Sequence, residues 1–333
     1  WDPSMDTRDE GNAMARAQTI ADTLEEALGE PVSFNELYAR GELLGQGSTT
    51  DVYEATDRMT GQRVAARFRR ISHPYPRVCI YDPRDTHLAM IHDEIRAYQR
   101  IPADCNEIER YIRHFVNADE PDQVVFITEL IEGDTLQYYL DLHHERSAAE
   151  PLPFLLPIMH QISKGLQVLS QQRIIHRNLK PDNIMLDLSG PVPVVKITSL
   201  TWCYILEEDA ACHEPGCGNL LYRAPERYAR DQNYPYGSEG PDDRPEYGTA
   251  ADVFATGLIF NQMVKSDWVL RHVRCESDLH DLYLQGNFDT LTYVDTGIDG
   301  LAEIINSMVQ MTPGDRPTAD QVLAQLDALL AQH

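Results

Sequence analysis

The chain changes its hydrophobic period once, and that change limits the folds open to it. Up to about Ile127, short runs alternate around glycine turns: Leu37-Tyr38-Ala39-Arg40, Val52-Tyr53-Glu54-Ala55, Arg63-Val64-Ala65-Ala66-Arg67-Phe68 and Val124-Val125-Phe126-Ile127. Period-two patterning with Gly61 at a turn predicts a meander of β-hairpins. Beyond Gly133 the spacing becomes helical, with Leu155, Ile158, Met159, Ile162, Leu166 and Leu169 on one stripe. Further helices are expected from Ala250 to Val264, Leu301 to Met311 and Ala319 to Leu330. A sheet-rich part therefore precedes a larger helical part.

Three segments stand outside this plan. Met14, Ala17, Ala21, Leu24 and Leu28 form the stripe of an amphipathic helix that Pro31 closes. Its polar face is acid-rich, which favours packing on the following domain over lying on a membrane. A Pro-rich insertion runs from His73 to about Arg84 and leads into a helix marked by Ile91, Ile95, Tyr98 and Ile101. Tyr228 to Tyr247, rich in Pro, Gly and Asp, reads as an exposed loop.

The 333 residues suffice for two lobes, and a formal net charge of -25 repels phosphate backbones and anionic headgroups. Nucleic acid is excluded as a partner on that ground, and no apolar run is long enough to insert into a bilayer. The start at Trp1, with no signal-like stretch, suggests a processed or trimmed chain. Lysine occurs only at Lys164, Lys180, Lys196 and Lys265, so the first half has none.

Leu44-Gly45-Gln46-Gly47-Ser48-Thr49-Thr50-Asp51-Val52, between two strands, resembles the glycine-rich loop of protein kinases, whose backbone amides cover nucleotide phosphates. Glycine pairs also make plain turns, so the run gains meaning from a second one. Ile175-His176-Arg177-Asn178-Leu179-Lys180-Pro181-Asp182-Asn183 resembles the kinase catalytic loop at almost every position. Ala224-Pro225-Glu226 then resembles the close of an activation segment, Asp252 with Gly257 the central C-lobe helix, and Arg316 its anchoring arginine. The resemblance covers about residues 37 to 330. It implies an α+β, bilobal protein kinase-like fold with a β-rich N-lobe, a helical C-lobe and an N-terminal helical extension. The expected boundaries are 1–36 for the extension, 37–131 for the N-lobe and 132–333 for the C-lobe. Glu226 and Arg316 are expected to form the family's buried ion pair, with Asp252 as a further structural position.

The chemical positions depart from the family. Arg67 stands where the third strand carries lysine, and with no lysine before Lys164 a shifted alignment cannot restore one. Arg67 is expected to pair with Glu94 while its wide fork takes space the phosphates need. Asn178 replaces the aspartate that accepts the substrate proton, and a neutral amide has no useful basicity. After Val195-Lys196-Ile197-Thr198, Ser199-Leu200-Thr201 replaces Asp-Phe-Gly, removing the carboxylate for magnesium. Thr50 replaces the third loop glycine. Lys180 and Asn183 are retained.

From these departures a pseudokinase is expected: no enzyme, no cofactor, no metal site, and Gly45, Gly47 and Thr128 lining a remnant nucleotide cleft. Its role would be binding, scaffolding or allosteric regulation of protein partners, an active kinase among them. A nucleotide-binding switch and a weakly active atypical kinase are the alternatives.

The N-terminal helix, the insertion after the third strand and the cysteine-bearing activation segment resemble the secreted rhoptry kinase family of apicomplexan parasites. That resemblance implies a secreted protein facing the parasitophorous vacuole or host; a cytoplasmic one is the alternative. Secretion would make disulfides expected, Cys212 with Cys217 and Cys79 with Cys105 being the candidate pairs. Metal binding by Cys212, His213 and Cys217 is the weaker alternative, because no second ligand pair accompanies them.

Overall fold

The computed structural model describes residues 28–29, 31–47, 50–71, 83–145, 155–207, 211–212, 217–227, 246–265, 270, 278 and 298–332. The expected N-terminal helix, the insertion after the third strand and the loop of 228–247 lie outside the described residues except at their ends. By contacts the chain divides into two units. One runs to Arg96 and takes in Arg110–Leu130; the other contains Ala97–Glu109 and everything from Ile131.

In the first unit, a short helix α1 (Phe34–Leu37) precedes strands β1 (Tyr38–Gln46), β2 (Thr50–Asp57) and β3 (Arg63–Arg70). Helix α2 (Pro83–Arg100), β4 (Tyr111–Val116) and β5 (Gln123–Glu129) follow. The five strands form one antiparallel sheet in the order β1-β2-β3-β5-β4. Alternation along β3 sends Val64, Ala66 and Phe68 into a core with Phe34, Tyr38, Phe115, Val125 and Ile127. Ala65, Arg67 and Arg69 consequently fall on the opposite face. The Arg40 guanidinium lies over the rings of Phe68 and Tyr53, 4.4 and 4.9 Å from their centroids, so its apolar flank helps cover this core.

The second unit has short strands β6 (Gly133–Thr135), β7 (Ile174–Ile175), β8 (Ile184–Asp187), β9 (Val194–Ile197) and β10 (Tyr204–Ile205). Its helices are α3 (Leu136–Glu145), α4 (Leu155–Gln171), α5 (Ala250–Val264), α6 (Leu301–Met308) and α7 (Ala319–Leu330). Every residue of α5 from Ala251 to Met263 is buried, the condition of a helix surrounded by protein. Gly257 permits that crowding: a Cβ there would lie 2.8 Å from both Met308 Cβ and Val309 Cγ1. Helix α7 opens with a reciprocal capping box between Thr318 and Gln321.

Helix α6 ends at Met308, short of the Met311 that the apolar spacing suggested. The carbonyls of Gln310 and Met311 are instead taken by the Arg316 guanidinium, at 2.7 and 3.1 Å. In a continued helix the Gln310 N–H would take Asn306 O, and the Gln310 side-chain amide occupies that carbonyl at 2.8 Å.

Candidate functional site

Strand β3 and helix α2 build the cationic part of the site in the first unit. Arg67 Nη2 donates to Glu94 Oε1 at 2.8 Å, with both side chains almost wholly buried. Arg69 Nη1 donates to the other carboxylate oxygen, Glu94 Oε2. Arg67 also lies over the Phe126 ring, 5.3 Å from its centroid. Glu94 is held on a helix whose Ile91 and Ile95 are buried on either side of it in sequence, so its carboxylate is carried into the interior with the apolar stripe. The second arginine was not read from the sequence. Its signal was present, because Arg69 follows Arg63 and Arg67 on the face opposite Val64, Ala66 and Phe68.

Register places the glycine-rich segment beside these arginines. Thr50 pairs with Arg69 and Val52 with Arg67 across β2 and β3, and Gly47 N–H donates to Thr50 O at 2.8 Å. A Cβ at Gly45 would meet nothing within 4 Å, whereas one at Gly47 would sit 3.2 Å from Thr50 O. Thr128 is fully buried opposite Ala65, and its hydroxyl has no hydrogen-bond partner among the described residues.

The second unit holds the catalytic loop. His176 and Arg177 donate their backbone N–H groups to the two oxygens of buried Asp252, at 2.6 and 3.1 Å. Burial pushes the Asp252 carboxyl above its ordinary range against the opposing pull of His176 and these N–H groups. Arg177 itself adopts a left-handed backbone (φ 63). Asn178 O accepts from Asn183 Nδ2 at 2.8 Å, and Asn183 O accepts from Thr198 N–H at 2.9 Å, which ties the loop to the end of β9. Lys180 Nζ is 3.3 Å from Asp182 Oδ2 at a partly exposed position.

Ser199 takes the left-handed region (φ 66), and its N–H donates to Glu109 Oε1 at 3.0 Å. Glu109 is buried and also accepts from the Tyr98 hydroxyl. The sequence reading passed over Glu109. Only a carboxylate flanked by Ile108 and the start of a strand marked it, and acids in loops are ordinarily solvated.

The activation segment is pinned by guanidinium groups. Glu226 receives a bidentate pair from Arg316, at 2.7 and 2.8 Å, and Arg316 donates further to Ala250 O at 2.9 Å. Arg177 Nη1 reaches Cys212 Sγ at 3.8 Å, and Arg227 Nη2 reaches Cys217 Sγ at 3.2 Å. The described cysteines, Cys105, Cys203, Cys212 and Cys217, are all thiols. The expected Cys212–Cys217 bridge is thereby corrected: each sulfur faces a different arginine. Cys79, the expected partner of Cys105, lies outside the described residues.

Among the described residues no three His, Cys, Asp or Glu side chains converge on a metal position. Ser199 brings a hydroxyl, and Asn183 brings a neutral amide oxygen, its nitrogen donating to Asn178 O. This donor set does not fit a hard divalent cation, which prefers carboxylate oxygens.

A loop of this His-Arg-x-x-Lys-x-x-Asn form, anchored on Asp252 and followed by an Arg–Glu-locked activation segment, defines a protein kinase domain. The family model described as protein kinase domain matches residues 38–326, and the chain belongs to that family. It is 29% identical over 227 residues, 68% of its length, to the serine/threonine-protein kinase ATG1a of Arabidopsis thaliana. Identity is 24% over 300 residues, 87% of the chain, to the serine/threonine-protein kinase RAD53 of Saccharomyces cerevisiae. It is 25% over 233 residues, 69% of the chain, to the cell division control protein 2 homolog C of Antirrhinum majus. The matches cover 31% of ATG1a, 33% of RAD53 and 68% of the Antirrhinum protein.

These findings correct one expectation. Arg67, Asn178 and Ser199 suggested that the chain is no enzyme; the family match and relatives named as serine/threonine-protein kinases point to an enzyme.

Proposed function

We propose that this chain is an atypical serine/threonine protein kinase of slow turnover. The observation that carries the reading is the locked catalytic loop, in which Asn183 bridges Asn178 O and the Thr198 N–H and leaves Lys180 partly exposed beside it. Phosphoryl transfer has a loose transition state with little covalent chemistry for the protein to perform, so positioning and positive charge supply most of the acceleration. Arg67 offers that charge in the first unit and Lys180 in the second. A substrate hydroxyl oxygen forms a bond to the γ-phosphorus, the bond to the bridging oxygen of the departing diphosphate breaks, and the hydroxyl proton passes to water. Asn178 orients the hydroxyl without accepting its proton, which lowers the rate by ~10²–10⁴ relative to a carboxylate and leaves the reaction otherwise intact. No step is routed through a metal held by the chain.

Radiolabel transfer from ATP to a mixed set of serine- and threonine-containing substrates, with a heat-killed control, tests the reading. Transfer that falls at least about tenfold in Lys180→Ala supports it. Transfer no greater than the heat-killed control sinks it.

A secreted address near the rhoptry kinases, and protein partners that include another kinase, are further parts of the proposal. Support comes from the N-terminal extension and from the connection between Arg70 and Pro83, which is long for a strand-to-helix link. Fractionation of the source cell with a tagged chain checks the address, and cross-linking pull-down checks the partners.

A further inference from the structure

Asn178 stands at the acceptor position of the catalytic loop with its side-chain amide fixed end for end. Only an oxygen can take the Asn219 N–H, which lies 2.8 Å from Oδ1, so Nδ2 is on the other side of the group. The activation segment crowds the oxygen side, where a Cβ on Gly218 would come within 3.4 Å of Oδ1. The backbone of Asn178 is also spoken for, its carbonyl accepting from Asn183 Nδ2 and its N–H facing His176 Nδ1. Nδ2 is left as the unspent group of this half-buried residue, with no acceptor among the described residues. Two residues on, Lys180 Nζ has Asp182 as its partner 3.3 Å away, in a pair whose side chains are 24% and 49% exposed. Such a pair is worth little, so the ammonium is available to a stronger anion.

The hydrogen-bonding sense of the loop is thereby reversed. A carboxylate at 178, with one oxygen on the Asn219 N–H, would aim a second negative acceptor at whatever sits opposite. That suits a hydroxyl about to lose its proton and repels a phosphate. Asn178 aims two N–H donors there instead, and Lys180 adds a cation. A serine or threonine hydroxyl is neutral; once phosphorylated, the same side chain carries about −1.5 to −2 charge and three strong acceptor oxygens. The loop matches the phosphorylated side chain better than the free one.

We propose that Asn178 and Lys180 form a binding site for a phosphoserine or phosphothreonine side chain, so that the chain holds a phosphorylated peptide in preference to its unphosphorylated form. The inference rests on the kinase reading only in placing a peptide's serine or threonine opposite Asn178. The phosphomonoester dianion is the chemistry recognised, whether this chain or another kinase attached it.

The test is fluorescence polarisation of labelled, degenerate peptide pools with a central phosphoserine, phosphothreonine, serine or threonine, titrated with the wild-type chain, N178D and K180A, phosphate transfer being measured in parallel. The wild type is expected to bind the phosphorylated pools at least about tenfold more tightly than the free ones. N178D should lose most of that preference while its transfer rises, and K180A should lose both. The opposite signs in N178D separate a phosphate site from a merely structural role. Equal affinity of the wild type for phosphorylated and free pools overturns the inference and leaves the kinase reading standing, as does a preference that N178D retains. A phosphopeptide preference without any transfer upholds the site and overturns the kinase reading. Binding of neither pool overturns the site. Inorganic phosphate that competes as well as a phosphoserine peptide marks a site for the free anion and overturns the peptide assignment. Should N178D fail to fold, NMR of the folded wild type labelled at asparagine decides: N-acetyl phosphoserine methylamide should move the Asn178 side-chain amide signal and the unphosphorylated serine derivative should not, and an equal response to both, or to neither, overturns the inference.

Discussion

The side-chain carbonyl of Asn178 accepts the backbone N–H of Asn219 at 2.8 Å. The residue that stands in the proton acceptor's place is therefore also a clamp between the catalytic loop and the activation segment. An aspartate can keep this acceptor role while adding basicity. Asn178→Asp is expected to raise the phosphate-transfer rate by ~10² or more with little change in thermal stability. Asn178→Ala should lower stability by about 1 kcal/mol through the lost hydrogen bond and lower the rate as well, since no side chain remains to orient the hydroxyl. Parallel transfer assays and urea melts check both; an aspartate variant no faster than the wild type would refute the assignment.

Gly218 sets the geometry of this clamp. Its φ of +82 lies in the left-handed region, and a Cβ would fall 2.2 Å from Arg177 O. Backbone meets backbone there, so neither side can swing aside. Gly218→Ala is expected to cost ~2–3 kcal/mol and to make the activation segment more open to limited proteolysis. A control such as Gly45→Ala, where a Cβ meets nothing within 4 Å, should change stability by less than about 1 kcal/mol.

Much of this was legible in the sequence and some was not, for physical reasons. The change of hydrophobic period placed β1, β2, β3, β5 and helices α4, α5 and α7; it was plainest in α4 and α7, which each bury a repeating stripe. Strands β7 and β10 have two residues each, too few for any period to show. The positions of Arg67, Asn178 and Ser199 were readable from their flanking motifs. Their partners were not: Glu109 and Asn219 lie 90 and 41 residues from the groups they hold, a separation that only the folded chain closes. Inferring function from missing side chains alone also led to the wrong class, since a kinase domain's positioning apparatus persists without them.

Arg316 donates to both oxygens of Glu226 and to the carbonyls of Ala250, Gln310 and Met311, with its side chain inaccessible to solvent. Arg316→Met would strand the Glu226 carboxylate and three carbonyls together. A loss of about 3–5 kcal/mol is expected, read as a fall in the urea midpoint. Glu226→Gln should cost less, because Arg316 keeps its carbonyl partners and the amide oxygen still accepts. Equal losses for the two variants would show that the ion pair, and not the wider network, holds the segment.

His176 gives the catalytic loop a pH dependence whose direction follows from its hydrogen bonds. The ring is fully buried; Nε2 lies 3.0 Å from Thr198 O, and Nδ1 faces the Asn178 N–H at 3.3 Å. A carbonyl on one side and an N–H on the other are matched by the neutral ring alone, with the proton on Nε2. Burial pushes the His176 pKa below its ordinary value, while Asp252, Thr198 O and Glu109 pull it the other way without cancelling the shift. The unfolded chain consequently takes up the proton first as pH falls. Stability from this group is present above the unfolded value of ~6.5 and is lost as pH falls from there toward the depressed folded value, at no more than about 1.4 kcal/mol per pH unit. Asp252 acts in the opposite sense, because its carboxyl is raised by burial and the folded state binds that proton more readily. A whole-protein melt mixes the two, together with the other histidines. His176→Gln isolates the first: an amide can donate to Thr198 O and does not titrate. The stability difference between wild type and variant should shrink as the pH is lowered from 7.5 to 5.5, in urea melts at constant ionic strength. Catalytic-loop amides around Asn178 should lose hydrogen-exchange protection in the wild type over the same interval and keep it in the variant. Parallel stability curves across that range would show that His176 carries no proton-linked share of the loop's stability.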